Sequence, residues 1–285
     1  MPGEGEKLVN QAKANFDVRN NFKFAIYLMM TPTQNCKNCG NTFQGMYCPS
    51  CGQKVAHRLN LTHIFHEVVH VFTHADKGIF SLVPAVLFRP GTLALGYVQG
   101  KRKRYFSVFQ YLIIIVGIVT FIMSKIHFME NMMDTFSPEN EVPVSPRVLE
   151  VQNQLIGWMK QYMNLFLFAL IPVFTLFSWL LFRKKGYNYA EHFVLQVVIQ
   201  AQVNTITFLL TMPLAVLFGD SMPKLIFVLA FVILITSHTI SNRQFFKIPL
   251  LHAAFKGFLI YGCTLIVQML IVMAVMMYFI SSMSK

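Results

Sequence analysis

Residues 105–124 read YFSVFQYLIIIVGIVTFIMS, twenty positions without a charge. As a helix this stretch rises about 30 Å, the thickness of a bilayer's hydrocarbon core. Lys101-Arg102-Lys103-Arg104 stands directly before it. A basic run heading an uncharged apolar run is the signature of a membrane span. Outward from it, four more such runs lie at about 162–182, 190–218, 222–240 and 257–280. The run from 190 is longer than one crossing needs, so a tilt or a bend near Pro213 is expected. Apolar side chains make up 55% of the 285 residues and mean hydropathy is +0.51. Both exceed what a water-soluble domain carries. The first residues are mixed and polar, without the apolar core of a secretory signal. Insertion is therefore expected to be directed by the first apolar span.

The net charge is +12, which on its own would also suit a nucleic-acid binder. The distribution decides. With the N-terminus placed inside, the inner segments 1–104, 183–191 and 241–256 hold 19 Lys and Arg, against 5 on the outer side. The acids split evenly, 6 and 6. An asymmetry in basic but not acidic residues is the positive-inside rule. It predicts a cytoplasmic N-terminus and an outer C-terminus. Nucleic acid is then unlikely as a partner, because anionic lipid headgroups supply the counter-charge for Arg89, Lys101, Arg102, Lys103 and Arg104.

Four of the five cysteines form two tight pairs, Cys36-x-x-Cys39 and Cys48-x-x-Cys51, each followed by glycine. Paired thiols at this spacing on a non-secreted face are metal ligands rather than disulfide partners. Four thiolates in a tetrahedron suit a structural Zn ion and leave no position open for chemistry. The eight-residue gap makes the ribbon minimal, so Phe43 and Tyr47 are expected to need outside cover.

Five of the nine histidines lie between 57 and 74. On a helix, His63, His66, His70 and His74 share one narrow face. His66-Glu67-Val68-Val69-His70 also matches the HExxH pattern, in which two histidines bind zinc and the glutamate is a general base. His66, Glu67 and His70 are thus catalytic candidates, and the four histidines are candidates for a second metal. A polar face on an interfacial helix is the competing reading. Residues 59–100 are broken by Gly78, Pro84, Pro90 and Gly91. They are read as two short helices on the membrane surface with a turn at Arg89-Pro90-Gly91. A polar cluster, Glu191, His192 and His238, stands at the inner ends of the third and fourth spans. It is followed by Gln196, Gln200, Gln202 and Asn204. It suits a headgroup, metal or proton site, or plain interhelical hydrogen bonding.

The string CxNCGxxFxGxYCxxCGQK (Cys36 to Lys54) is followed by HxFTHADKG (His70 to Gly78), LFRPG (Leu87 to Gly91) and YVxGKRxxYFxxFQYL (Tyr97 to Leu112). This order resembles the bacterial membrane proteins of domain-of-unknown-function family 3667, found mainly in the Bacteroidetes. The resemblance implies a zinc-ribbon head, RPG and GKR elements and a multi-span tail. It implies no activity and no catalytic residues.

The fold expected is an all-α polytopic membrane protein of about five spans with a small N-terminal four-cysteine zinc ribbon and interfacial helices. The divisions are an arm (1–33), the ribbon (34–56), a His-rich, RPG and basic segment (57–104) and a membrane domain (105–285). The first functional reading is a non-enzymatic scaffold or docking protein with a structural zinc, meeting membrane lipids and a cytoplasmic protein partner. A metal-dependent membrane hydrolase built on the histidine stripe, and a small-molecule or ion transporter, are the alternatives.

Overall fold

In a computed structural model the described residues are 33–62, 64, 79–102, 107–126, 146–218 and 223–282. The chain divides into a small unit, residues 1–57 with 100–104, and a large unit, residues 58–99 with 105–285.

Within the small unit, strands β1 (Gln34–Asn35) and β2 (Thr42–Phe43) pair antiparallel, with Gln34 opposite Phe43. A second, isolated bridge joins Tyr47 to Lys54. So short a sheet cannot hold itself, and the turns between the strands carry the metal ligands. Phe43, expected to need outside cover, is 7% exposed and packs with Cys36, Cys48 and Val55 inside the unit. Tyr47 remains 59% exposed.

The large unit is helical. In order come α1 (Ile79–Phe88), α2 (Pro90–Val98), α3 (Val108–Lys125) and α4 (Pro146–Phe182). Then follow α5 (Tyr189–Ile206), α6 (Met212–Phe218), α7 (Pro223–Phe246) and α8 (Leu250–Ser282). Among the described residues, five helical stretches are long and apolar enough to cross a membrane: Val108–Lys125, Leu165–Lys185, Tyr189–Phe218, Lys224–Phe246 and Leu250–Tyr278. The third runs through α5, a π-helical turn at Thr207–Thr211 and α6. The turn precedes Pro213, whose ring and missing N–H disturb the regular ladder.

α5 is the centre of the bundle. It packs on α1, α2, α3, α4 and α7, and its Val194, Leu195, Val198 and Ile199 are at most 1% exposed. α8 lies outermost, with Leu251, Ile266, Met269 and Tyr278 all more than half exposed. An apolar outer face is what lipid requires. Across the interior, Tyr111 of α3 and Thr205 of α5 share a buried hydroxyl–hydroxyl hydrogen bond of 2.7 Å.

α1 and α2, read from sequence as two helices on the membrane surface, are bent by 112° at Arg89 and packed into the bundle. Leu82, Val86 and Ala94 are fully buried. The pair has the length and composition of a broken sixth span or a re-entrant loop.

Candidate functional site

Among the described residues, two places gather chemistry-bearing side chains. In the small unit each cysteine pair folds into the same knuckle. The N–H of Gly40 donates to the Cys36 carbonyl (2.9 Å), and that of Gly52 to Cys48 (2.8 Å). Both glycines stand at positive φ, +79° and +68°, which closes the turn without a Cβ clash. The Cys36 and Cys51 sulfurs are 3.6 Å apart, as are those of Cys39 and Cys48. All four sulfurs lie within 4.8 Å of one another. Metal–thiolate bonds of about 2.3 Å in a tetrahedron put sulfurs about 3.7 Å apart, so the donor set fits a four-coordinate metal.

The thiols' electrostatics agree. Burial opposes ionisation of Cys48, but the N–H groups of Cys51 and Ser50 and the Cys39 sulfur bring it down to about 6. The Gln53 N–H lowers Cys51. At Cys39 the Asn41 backbone favours the thiolate, but burial and the other three sulfurs prevail and push it up to about 12. The knuckles thus accept the first negative charge readily and resist the last until a cation shares it.

The same unit explains two of the sequence motifs. Gln53, which follows the last knuckle, donates through Nε2 to the Gly100 carbonyl (2.5 Å) and accepts from the Arg102 N–H (3.2 Å). The Arg102 guanidinium also donates to the His57 carbonyl (3.0 Å). The GKR start is therefore part of the metal module, tied to it across some 47 residues. Lys101 is exposed. Lys103 and Arg104 lie outside the described residues, as do His63, His66, Glu67, His70 and His74.

The second place is the interior of the large unit. Glu191, singled out as an intramembrane acid, is a structural group. Asn188 accepts from the Glu191 N–H (2.9 Å) while Glu191 accepts from the Asn188 N–H (2.8 Å), a complete capping box at the start of α5. The Arg58 guanidinium closes on the same carboxylate at 2.9 and 3.1 Å. That hydrogen bonding, with the Glu191 charge, raises Arg58 above its ordinary value. Asn188 further donates to the Leu59 carbonyl (2.9 Å). Neither Arg58 nor the box was singled out in the sequence, although Asn188-x-x-Glu191 is a capping signature.

Gln202 and Gln244 hold the bent α1–α2 pair. Where a helix breaks, its last carbonyls and the next helix's first N–H groups lose their partners. Gln202 donates to the Leu87 carbonyl (2.9 Å). Gln244 donates to the Phe88 carbonyl (3.2 Å) and accepts from the N–H groups of Gly91 (3.0 Å) and Thr92 (3.4 Å). Ser241 links the two glutamines by donating to Gln202 (3.4 Å). Pro90, with no N–H to satisfy, starts α2. Arg89 stands at the bend, exposed, and its side chain makes no cap hydrogen bond. Gly91 is required by close approach: a Cβ there would collide with the Ser241 carbonyl and come within 2.6 Å of Gln244 Cβ and 2.8 Å of the Phe245 N.

His192 and His238 are both fully buried. His192 Nδ1 lies 2.9 Å from Ser178 Oγ on α4, and its ring sits 5.3 Å from that of Phe246. His238 packs its ring 5.3 Å from Phe174 and its Cβ faces Gly257 on α8. Among the described residues, His192 Nε2, both nitrogens of His238 and both polar atoms of Gln196 and of Asn242 are buried and find no hydrogen-bond partner. The structure gives Glu191 to the helix cap, and places His192 and His238 in a polar interior with Gln196 and Asn242. Asn242 was not anticipated.

Residues 76–120 match the family described as "Protein of unknown function (DUF3667)". The matched segment runs from Asp76 through the bent pair to Thr120 in α3 and does not include the cysteine module. No curated protein and no solved structure matches the chain.

Proposed function

We propose that this is a non-enzymatic docking protein of a bacterial inner membrane, with a cytoplasmic N-terminus and an outer C-terminus. Its zinc module presents a basic surface to an acidic cytoplasmic protein. We also place the whole chain in the family matched by residues 76–120.

The observation that carries the reading is the closed, all-cysteine donor set. Such a site organises a fold and has no open position for substrate. What it organises is a surface. Residues 33–57 and 100–104 carry Lys37, Lys54, Lys101, Arg102, Lys103 and Arg104 and no acid. Met46 and Tyr47 stand 54% and 59% exposed there. Aromatic, methionine and arginine side chains are the types enriched where proteins meet. The 19-to-5 distribution of basic residues supports the orientation, and the basic run would also meet anionic lipid.

Metal analysis of the purified chain should give one zinc, lost in Cys36→Ser/Cys48→Ser. A second metal that survives this change and is removed by His66→Ala would replace the docking reading with a metal-dependent enzyme. A photo-crosslinking side chain at Met46 in whole cells should yield one discrete protein adduct, abolished by Lys37→Glu/Lys54→Glu. Adducts to lipid alone would overturn the protein partner. A C-terminal alkaline phosphatase fusion should be active outside the cytoplasm, and an inactive one would reverse the topology.

A further inference from the structure

Inside an apolar medium, an amide without a hydrogen-bond partner costs several kcal/mol. Gln196 and Asn242 leave both polar atoms of each carboxamide unpaired, and neither residue is exposed. His238 adds two unpaired nitrogens and His192 one. By helix spacing these groups fall within one level of the bundle, about two turns deep. Ser178 and Phe174 are one helical turn apart on α4, His192 and Gln196 on α5, and His238 and Asn242 on α7. Ser178 meets His192, and His192 meets Phe246, at one end of this level. Phe174 meets His238 at the other. Asn242 lies on α7 between Phe246 and His238, and Gln196 lies one turn inward from His192.

We propose that α4, α5 and α7 enclose a binding site for a small neutral solute of the amide or polyol type, held by His192, Gln196, His238 and Asn242. The donor set selects the class. Two carboxamides and two imidazoles offer hydrogen-bond donors and acceptors in balance and no formal charge. An anion would call for Arg or Lys, and a hard cation for carboxylates. The charged groups of the neighbourhood are committed elsewhere: Glu191 to Arg58 and its cap, and Lys256 to the Leu181 carbonyl at 2.9 Å. A carboxamide places a donor beside an acceptor, the edge that another amide or a vicinal diol matches with two parallel hydrogen bonds. The rings of Phe174 and Phe246 supply apolar walls.

The test uses the full chain in lipid nanodiscs, with acetamide and glycerol as probes and thermal unfolding as the readout. In the wild type, one probe or both should raise the midpoint saturably, by about 2–4 °C. In Gln196→Leu/Asn242→Leu only the unsaturating slope that such solutes give any protein should remain. If the pair does not fold, the single variants Gln196→Met and Asn242→Leu serve the same comparison. A saturable shift equal in wild type and variant overturns the site. So does a wild type that responds to neither probe. If that wild type also melts above the leucine pair, the four side chains are assigned to bound water.

Discussion

α5 and α7 each show two polar faces to the bundle, and the two faces behave differently. Gln202, Ser241 and Gln244 bond to the bent α1–α2 pair and to each other, and among them they serve Leu87, Phe88, Gly91 and Thr92. Gln196, His238 and Asn242, on the same two helices, find no hydrogen-bond partner among the described residues. Burial does not separate the faces, since Gln202 is 1% exposed and Gln196 0%. What separates them is broken backbone. The paired face exists because a helix interrupted at Arg89-Pro90 leaves carbonyls and N–H groups that lipid cannot satisfy. Among the described residues no chain break like that at Arg89 faces the other side, and its polar groups are the ones assigned to the proposed site.

The sharpest way to break this contrast is Gly91→Val. Its side chain would meet the backbone of α7, which cannot move aside as a flexible side chain can. Overpacking of this kind costs about 3 kcal/mol. The expected result is a large drop in the unfolding midpoint, or a chain that no longer purifies as a single species. A variant as stable as wild type would show that α2 does not press on α7.

Gln244→Leu should cost somewhat less, about 2 kcal/mol. It strands the Phe88 carbonyl and two N–H groups, although relaxation and alternative partners in the membrane reduce such penalties. Denaturant unfolding in mixed micelles would measure it. Asn242→Leu, a similar exchange one turn-fraction away on the same helix, should not show this loss. Equal losses at the two positions would erase the distinction between the faces.

Glu191→Ala tests whether the one intramembrane acid of the basic end belongs with the paired groups. Losing the capping box should cost about 1 kcal/mol. Arg58→Met and Glu191→Ala should also be non-additive in a double-mutant cycle, because each removes the same ion pair. Additive effects would mean that Arg58 and Glu191 do not act on one another.

These contrasts bear on how much could be read without coordinates. The five spans were legible because lipid demands long uncharged runs, and nothing distant in the chain alters that demand. The metal knuckles were legible because Cys-x-x-Cys-Gly is a local turn. Phe43 was misjudged as needing outside cover: the sheet is so short that one ring suffices as its core. The bend at Arg89-Pro90-Gly91 was visible as a break, but its burial depends on Gln202 and Gln244, more than a hundred residues away. Likewise the ties of Arg102 to Gln53 and His57, which make the GKR start part of the metal module, join positions more than forty residues apart and leave no local mark. Glu191 was legible as a polar group at the inner end of its span, but its cap with Asn188, though local, was not singled out. The histidine stripe falls outside the described residues.

The smallest expected effect is also discriminating, because its sign differs between two serines on one face of α7. Ser241 and Ser237 sit one turn apart on α7, 0% and 1% exposed. Ser241 donates a long hydrogen bond to Gln202, whereas the Ser237 hydroxyl has no partner. Helix hydroxyls in spans commonly bond back to a carbonyl one turn earlier, as the buried Thr239 and the exposed Thr236 do on this helix. Ser237 does not. Replacing a partnered hydroxyl by a methyl group removes a favourable contact, but replacing an orphaned one removes an uncompensated desolvation penalty. Ser241→Ala should therefore cost about 0.5 kcal/mol, while Ser237→Ala should be neutral or stabilising by a similar amount. Matched unfolding curves of the two variants suffice. A loss at Ser237 would mean that its hydroxyl is partnered in the membrane.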